Sequence, residues 1–378
     1  MSQPVNRKYV MIIAGEASGD VHGARLVSAM KERNKDLLFC GIGGNALRNE
    51  GVAIIQDSST LAVVGITEVV SKFFSIVKGL AGAKRLLKSL IPGLLILIDF
   101  PDFNLRVAAA AKKLGIPVLY YISPQVWAWR QSRVKKIKEL VNRLAVILPF
   151  EEEFFKKHGV AVSYVGHPLL DGSMPPVDMN GKKNPPVVGL LPGSRDSEID
   201  RHLPVMLEAA SLIIKKAGAI KIAVSHAPSV KREYIEKIIR KNSSCDCDII
   251  SGGADRIFKV SSVVVAASGT VTLEAGIAGV PMVVIYRVSP ISYLLGKTMI
   301  KVPNICLVNL IAGKTIVPEL IQNEATSGRI SDEVLSILCD PGKFEQMKKE
   351  LAVIRDSLGG PGASGRVADI AISMLTVS

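Results

Sequence analysis

Tyr9–Ala24 reads YVMIIAGEASGDVHGA. An unbroken apolar run, Tyr9–Ala14, stops at Gly15 in a turn of small residues, and a helix-like stretch opens at about Ala24. A strand with no polar alternation has to be buried on both faces, as in a parallel sheet covered by helices on each side. The same unit recurs at Leu94–Ile98, Val118–Ile122 and Leu144–Leu148, then at Val187–Leu191, Ile220–Val224, Val263–Ala267 and Met282–Tyr286. Between the two groups lies Asp171–Pro186, DGSMPPVDMNGKKNPP, rich in Pro, Gly and Asn and without periodicity, a linker by composition. The sequence therefore predicts an α/β protein of two Rossmann-like domains facing across a cleft. Residues 1–172 form the first and 187–345 the second, with C-terminal helices over 346–378 able to pack back on the first. A chain of 378 residues is long enough for two cores. Ligands of such sheets sit at the carboxyl ends of the strands.

The formal charge of +13 is unevenly placed, because residues 72–143 hold 14 Lys and Arg against 3 Asp and Glu. Such a local field calls for an anionic partner: nucleic acid, a phosphorylated substrate or an anionic bilayer. Gly65–Leu90, GITEVVSKFFSIVKGLAGAKRLLKSL, interleaves apolar residues with cations. Phe73, Phe74 and Val77 beside Lys72, Lys78, Lys84 and Arg85 read as a surface helix seated in an anionic bilayer, although amphipathic core helices share the pattern. No run of about 18 apolar residues is present and the N-terminus lacks a signal-peptide pattern, so a cytoplasmic, soluble or peripheral protein is expected. The five cysteines are odd in number and form no CxxC pair, which suits reduced thiols.

Several turns carry candidate chemistry. The first loop, with Glu16 and Ser18, lets a ligand approach backbone and helix N-terminus, but it is not GxGxxG and a dinucleotide is disfavoured. A second cluster, Gly41–Gly44, looks alike. Asp99 ends the very apolar strand in LIDFPDFN, where partial burial raises a carboxyl pKa and suits a general base; Asp102 follows, and either could instead cap the next helix. Trp127, Trp129 and Arg130 share one post-strand loop that could face a sugar, an acyl chain or a membrane interface. In Leu191–Arg195, LPGSR, Ser194 and Arg195 can receive a diphosphate through backbone N–H groups and guanidinium. Ser268, Gly269 and Thr270 open another helix in the same way, with Glu274 one turn in and able to accept from ribose hydroxyls; a plain capping box is compatible with this. No DxD-type cluster marks a metal site, so no metal and no cofactor are expected.

These stretches together resemble the lipid-A-disaccharide synthases over nearly the whole chain. The matching segments are GEASGDVHGA, GITEV, IDFPDFN, YYISPQVWAWR, LPFEEEFF, VGHPLLD, LPGSR, ASGTVTLEAGIAGVPMVVIYR and NLIAGKTIVPELIQ. The resemblance implies a GT-B type, inverting, metal-independent glycosyltransferase of lipid A biosynthesis. It would join UDP-2,3-diacylglucosamine to 2,3-diacylglucosamine 1-phosphate, giving the β-1,6 disaccharide 1-phosphate and UDP. It further implies Asp99 as the base and Arg195 as a diphosphate or catalytic contact. Glu274 would then hold the ribose, Ser268, Gly269 and Thr270 would lie near the phosphates, and Asn309 and Glu319 would face the cleft. The GITEV region would bind the cytoplasmic face of an anionic inner membrane. His22 sits where relatives can carry an apolar residue and is discounted as a base. Rival readings are a UDP-N-acetylglucosamine 2-epimerase or muramyl glucosaminyltransferase of the same fold, and a non-catalytic protein binding nucleic acid or lipid. The resemblance implies no nucleic acid partner and leaves the oligomeric state open.

Overall fold

Strand β1 (Asn6–Ala14) lies between β2 (Leu38–Gly43) and β4 (Pro92–Ile98), parallel to both, in the interior of a seven-stranded sheet. The computed structural model describes residues 6–60, 66–128, 132–172, 176–177, 184–242, 245–289, 293 and 304–377. The sheet is completed by β3 (Ala53–Asp57), β5 (Val118–Tyr121), β6 (Arg143–Val146) and β7 (Val162–Tyr164), in the order β3-β2-β1-β4-β5-β6-β7. The helices between them are α1 (Ala17–Arg33), α2 (Asn45–Asn49), α3 (Ile66–Leu90), α4 (Pro101–Lys113), α5 (Arg133–Leu140) and α6 (Pro149–Lys157).

The unbroken apolar strands fill two separate cores, one on each face. Met11, Ile13, Leu95, Leu97 and Tyr120 pack under Ala83 and Leu87 of α3 and Val107 and Ala108 of α4. Their neighbours Val10, Ile12, Leu94, Ile96 and Tyr121 point the other way, against Leu26, Val27 and Met30 of α1. That second face is completed from the far end of the chain by Val367, Ala368, Ala371 and Leu375. Each fully buried Val or Leu there contributes roughly 1.5–3 kcal/mol, so the C-terminal helix is an integral wall of this core.

The second sheet repeats the plan, with β8 (Val187–Leu191), β9 (Lys221–His226), β10 (Cys247–Ser251), β11 (Val263–Ala267), β12 (Met282–Tyr286) and β13 (Glu319–Ile321) in the order β10-β9-β8-β11-β12-β13. Its helices are α7 (Asp196–Ala217), α8 (Arg232–Asn242), α9 (Ala254–Val260), α10 (Thr270–Ala278), α11 (Leu307–Ala312), α12 (Ser327–Cys339) and α13 (Pro341–Ser357). Helix α13 packs on α10, α11 and α12 of this unit. The chain leaves the first unit after Gly172 and re-enters it at Leu358, inside the 346–378 segment, so that α14 (Ala363–Val377) lies against α1. Asp171 caps α14, its carboxylate accepting from the N–H groups of Gly362, Ala363 and Ser364 at 2.7, 2.9 and 2.8 Å.

In both sheets the strand order reverses beside the first strand: between β1 and β4, and between β8 and β11. At such a switch point the loops diverge to opposite faces and leave a crevice at the carboxyl ends. Register pairs Ala14 with Ile98 and Leu191 with Ala266, so the turns after those strands flank each crevice.

Candidate functional site

In the first unit the crevice is bounded by the loop after β1 and the loop after β4. Asp99 and Phe100 both have left-handed backbone, φ 45° and 49°. Non-glycine residues adopt that conformation at a cost of order 1 kcal/mol or more, and adjacent pairs persist only when neighbours hold them. Two neighbours hold them: Asn104 Nδ2 donates to the carbonyls of Ile98 (3.2 Å) and Asp99 (2.6 Å), and the Tyr120 hydroxyl donates to the Asp99 carbonyl at 2.7 Å. Pro101 then starts α4. The Asp99 carboxyl is turned into a half-buried position where burial, reinforced by the negative charge of Glu16, pushes it up to about 6 against a hydrogen bond from the Phe100 N–H. A cavity of about 270 Å³ opens beside it, lined by Asp99, Pro101, Ile122, Ser123, Pro124, Gln125, Val126 and Arg133. Glu16 and Ser18 are exposed at the start of α1.

In the second unit the LPGSR turn follows β8. Gly193 has φ +124°, and a Cβ there would lie 2.5 Å from Glu198 Oε2, so only glycine fits. Glu198 accepts from the Ser194 N–H at 2.9 Å and pairs with Arg195 at 2.7 Å, leaving the guanidinium about half exposed. His202, buried in α7, bridges two loops: Nδ1 lies 3.0 Å from the Pro192 carbonyl and Nε2 accepts from the Arg287 N–H at 3.1 Å. Burial holds this imidazole below its usual range, which keeps it neutral and able to accept. Across the switch point, Gly269 and Thr270 are exposed at the N-terminus of α10, and nothing lies within 4 Å of where a Gly269 Cβ would be. Glu274 is half-buried and makes no hydrogen bond among the described residues; burial, with Asp255 nearby, pushes its carboxyl up. Among the described residues no three His, Cys, Asp or Glu side chains cluster as metal ligands would.

The profile of the family described as lipid-A-disaccharide synthetase matches residues 10–359. A lipid-A-disaccharide synthase of Syntrophus aciditrophicus is 45% identical over 99% of this chain and 100% of its own length. One from Geobacter metallireducens is 46% identical over 97% of each. The chain belongs to the lipid-A-disaccharide synthase family. Solved structures agree on the fold alone. UDP-GlcNAc 2-epimerase from Neisseria meningitidis, bound to UDP-GlcNAc, superposes with a TM-score of 0.66 at 12% identity, covering 97% of this chain and all of that one. MurG from Acinetobacter baumannii gives 0.60 at 15% identity, covering 97% and 99%. Two Rossmann-like units of the GT-B kind are therefore the architecture of this synthase-family chain.

Within that family frame, four sequence expectations change. Trp127 is buried, 7% exposed, with its indole N–H given to Glu151 at 3.0 Å and its ring edge-on to Phe150, so it anchors its loop and is no platform for a ligand. Asp102 stands on the first turn of α4 in an ion pair with Arg133, so its carboxylate is already engaged. Asn309 does not face a crevice: it is fully buried, donating to Val317 O (2.9 Å) and Glu319 Oε1 (2.6 Å) and accepting from the N–H groups of Ile316 and Val317. Glu319 in turn accepts from Ile305 N–H at 2.8 Å. Both are struts of the 304–319 loop. The Gly41–Gly44 cluster belongs to β2 and the turn after it, where buried Asp20 accepts from the N–H groups of Gly44, Ala46 and Leu47 and occupies the place an anion would take. Trp129 and Arg130, and the side chains of Lys72 and Phe73, lie outside the described residues. His22 is held down to about 4 by burial and by Arg25, against the pull of Asp171. Ser123, Gln125, Arg133, Glu151 and His202 were not singled out by sequence as parts of the site, though Glu151, third residue of a helix opened by Pro149, carries a capping signature.

Proposed function

We propose that the chain is the glycosyltransferase of lipid A biosynthesis that joins UDP-2,3-diacylglucosamine to 2,3-diacylglucosamine 1-phosphate with inversion and release of UDP. The observation that carries the reading is Asp99, a carboxylate at the first switch point whose burial sets it near 6, so that at neutral pH it is ionised yet basic enough to take a proton from a sugar hydroxyl. The acceptor's 6-hydroxyl gives its proton to Asp99, and its oxygen attacks the anomeric carbon opposite the departing diphosphate. The second unit serves the donor. Arg195 and the N–H groups at the starts of α7 and α10, near Ser194, Ser268, Gly269 and Thr270, offset the charge that develops on UDP. Glu274, which makes no hydrogen bond among the described residues, accepts from the ribose hydroxyls. This electrostatic set replaces a metal ion.

The acyl chains call for a lipid surface, and α3 supplies one. Phe74 is 83% exposed and Val77 46%, with Lys78, Lys84 and Arg85 exposed on the same helix. Bulky apolar groups left in water beside cations fit a helix lying in an anionic interface, on the cytoplasmic face of the inner membrane. Among the described residues no helix is long and apolar enough to cross a membrane.

The test is UDP release from the purified protein given UDP-2,3-diacylglucosamine, with and without the acylated 1-phosphate acceptor, in EDTA and mild detergent. Acceptor-dependent release in EDTA is expected. Release without acceptor would replace the reading with a hydrolase or epimerase, and dependence on added metal would remove the metal-free mechanism.

A further inference from the structure

The acceptor-side cavity has a wall whose support lies outside it. Four of its eight lining residues, Ser123, Pro124, Gln125 and Val126, come from the loop after β5. That loop leaves the strand through Ile122 in left-handed backbone, φ 59°, so it needs tertiary contacts to hold its course. The contacts converge on one carboxylate. Glu151, 1% exposed in α6, accepts from the Ser123 hydroxyl (2.8 Å) and the Trp127 indole (3.0 Å) on Oε1, and from the N–H groups of Leu148 (3.0 Å) and Ile147 (3.3 Å) on Oε2.

The two oxygens do separate jobs. Oε2 caps the helix that Glu151 belongs to, which any residue at that position of a capping box does. Oε1 reaches across to a loop more than twenty residues earlier, between neighbouring strands, and nothing about starting α6 requires it. A buried carboxylate is costly to desolvate unless donors surround it, and all four donors are present. We propose that Glu151 is a positioning residue for the acceptor: through Ser123 and Trp127 it fixes the loop that walls the Asp99 cavity. The inference rests on reading that cavity as the acceptor's sugar subsite.

Glu151→Gln tests it. Because the four partners are donors, an amide that puts NH2 where one oxygen was can serve the cap or the loop but not both. The apparent KM for the acceptor is expected to rise about tenfold with a smaller fall in kcat, while UDP affinity stays at the wild-type value. In a Trp129→Phe background, where Trp127 is the sole remaining tryptophan, its emission should shift to the red. Trp127→Phe gives a second, milder variant: it leaves the cap intact, removes one loop donor, and does not line the cavity. Its effect on acceptor KM should be less than additive with that of Glu151→Gln. Should the wild-type protein show no acceptor-dependent UDP release, the functional reading fails and this inference with it. Should the wild type turn over but both variants keep acceptor KM within about twofold, whatever their melting temperatures, Glu151 is a fold element only and the inference alone is overturned.

Discussion

The ring of Phe100 fills the space that a side chain on Gly15 would need: a Cβ there would lie 2.3 Å from Phe100 Cγ. The loops after β1 and β4 are thereby interlocked across the switch point, and the residue doing the locking is the one that follows Asp99. Gly15→Ala must push Phe100, and through it the left-handed pair, out of place. We expect destabilisation of about 1–3 kcal/mol, typical of overpacking, together with loss of turnover and unchanged UDP affinity. Thermal unfolding and turnover check this, and adding Phe100→Ala should recover part of the stability. A Gly15→Ala protein with wild-type melting and turnover would show that the interlock is dispensable.

Asp99→Asn removes the proposed base and should abolish turnover while UDP still binds. The pH dependence has a definite sign. Burial raises the carboxyl from 3.8 to about 6, so kcat/KM should fall as pH drops through about 6 and the proton acceptor fills. Stability moves the opposite way from a salt-bridged aspartate. The folded state binds this proton more tightly than the unfolded chain, so the group's contribution is present at low pH and lost as pH rises from about 4 to about 6. Asp99→Asn should therefore raise the melting temperature at pH 8 and lose that advantage near pH 4. Glu16→Gln should move the acid limb of the activity profile downward, since Glu16 contributes to the upward shift.

Most interior strands were legible because burial on both faces leaves no polar alternation, as in Tyr9–Ala14 and Val263–Ala267; β2, whose apolar run is broken by Gly41 and Gly43, was not. Nor were the flanking strands. β3 is largely half-exposed at a sheet edge, β10 mixes a cysteine, an aspartate and a serine with its two isoleucines, and β13 has three residues, so none carries a period strong enough to read. At the site, Asp99 was legible from its place at the end of an apolar strand. The inward-turned residues were misjudged for one shared reason: sequence shows that a polar or aromatic group is present but not where its hydrogen bonds go. Trp127 and Asn309 look like ligand contacts until their partners, Glu151 and the backbone of Ile316 and Val317, are seen. Glu151, one of three consecutive glutamates, was not singled out for the same reason.

Asn309 should behave as a strut. Its side chain serves two N–H groups, one carbonyl and the Glu319 carboxylate, all in the segment that joins α11 to β13. Asn309→Ala leaves those groups unpaired, at about 1–3 kcal/mol for each buried group left unsatisfied. A clear fall in melting temperature should precede any loss of UDP affinity measured well below the transition. A stable variant with weak UDP binding would instead make Asn309 a ligand contact.

The proposed membrane attachment through α3 makes a prediction that salt and apolar substitution can separate. Phe74→Ser with Val77→Ser removes apolar contact and leaves the charge, while Lys78→Glu with Lys84→Glu does the reverse. Both should lower co-sedimentation with vesicles containing anionic phospholipid, and the salt dependence should weaken only in the second pair. Equal binding to neutral and anionic vesicles would remove the electrostatic part of the argument.

In the proposed reading Glu274 is the donor-side counterpart of Asp99; it is a half-buried carboxylate with no hydrogen bond among the described residues. Such a group costs stability when ionised unless a ligand supplies donors. The absence of a partner among the described residues thus argues for recognition rather than for capping, and the two accounts diverge experimentally. If Glu274 receives ribose hydroxyls, Glu274→Gln should weaken UDP binding by about tenfold or more, the usual worth of a hydrogen bond to a charged group. The ligand-free protein should meanwhile melt at the wild-type temperature or above it at pH 8, because a carboxyl raised by burial is least favourable there. A diphosphate lacking both ribose hydroxyls, 2′,3′-dideoxyuridine diphosphate, provides the control. It should bind the wild type and the variant alike, and bind the wild type no better than the variant binds UDP. A variant that loses affinity equally for both nucleotides would place Glu274 in the framework of α10 and not at the ribose.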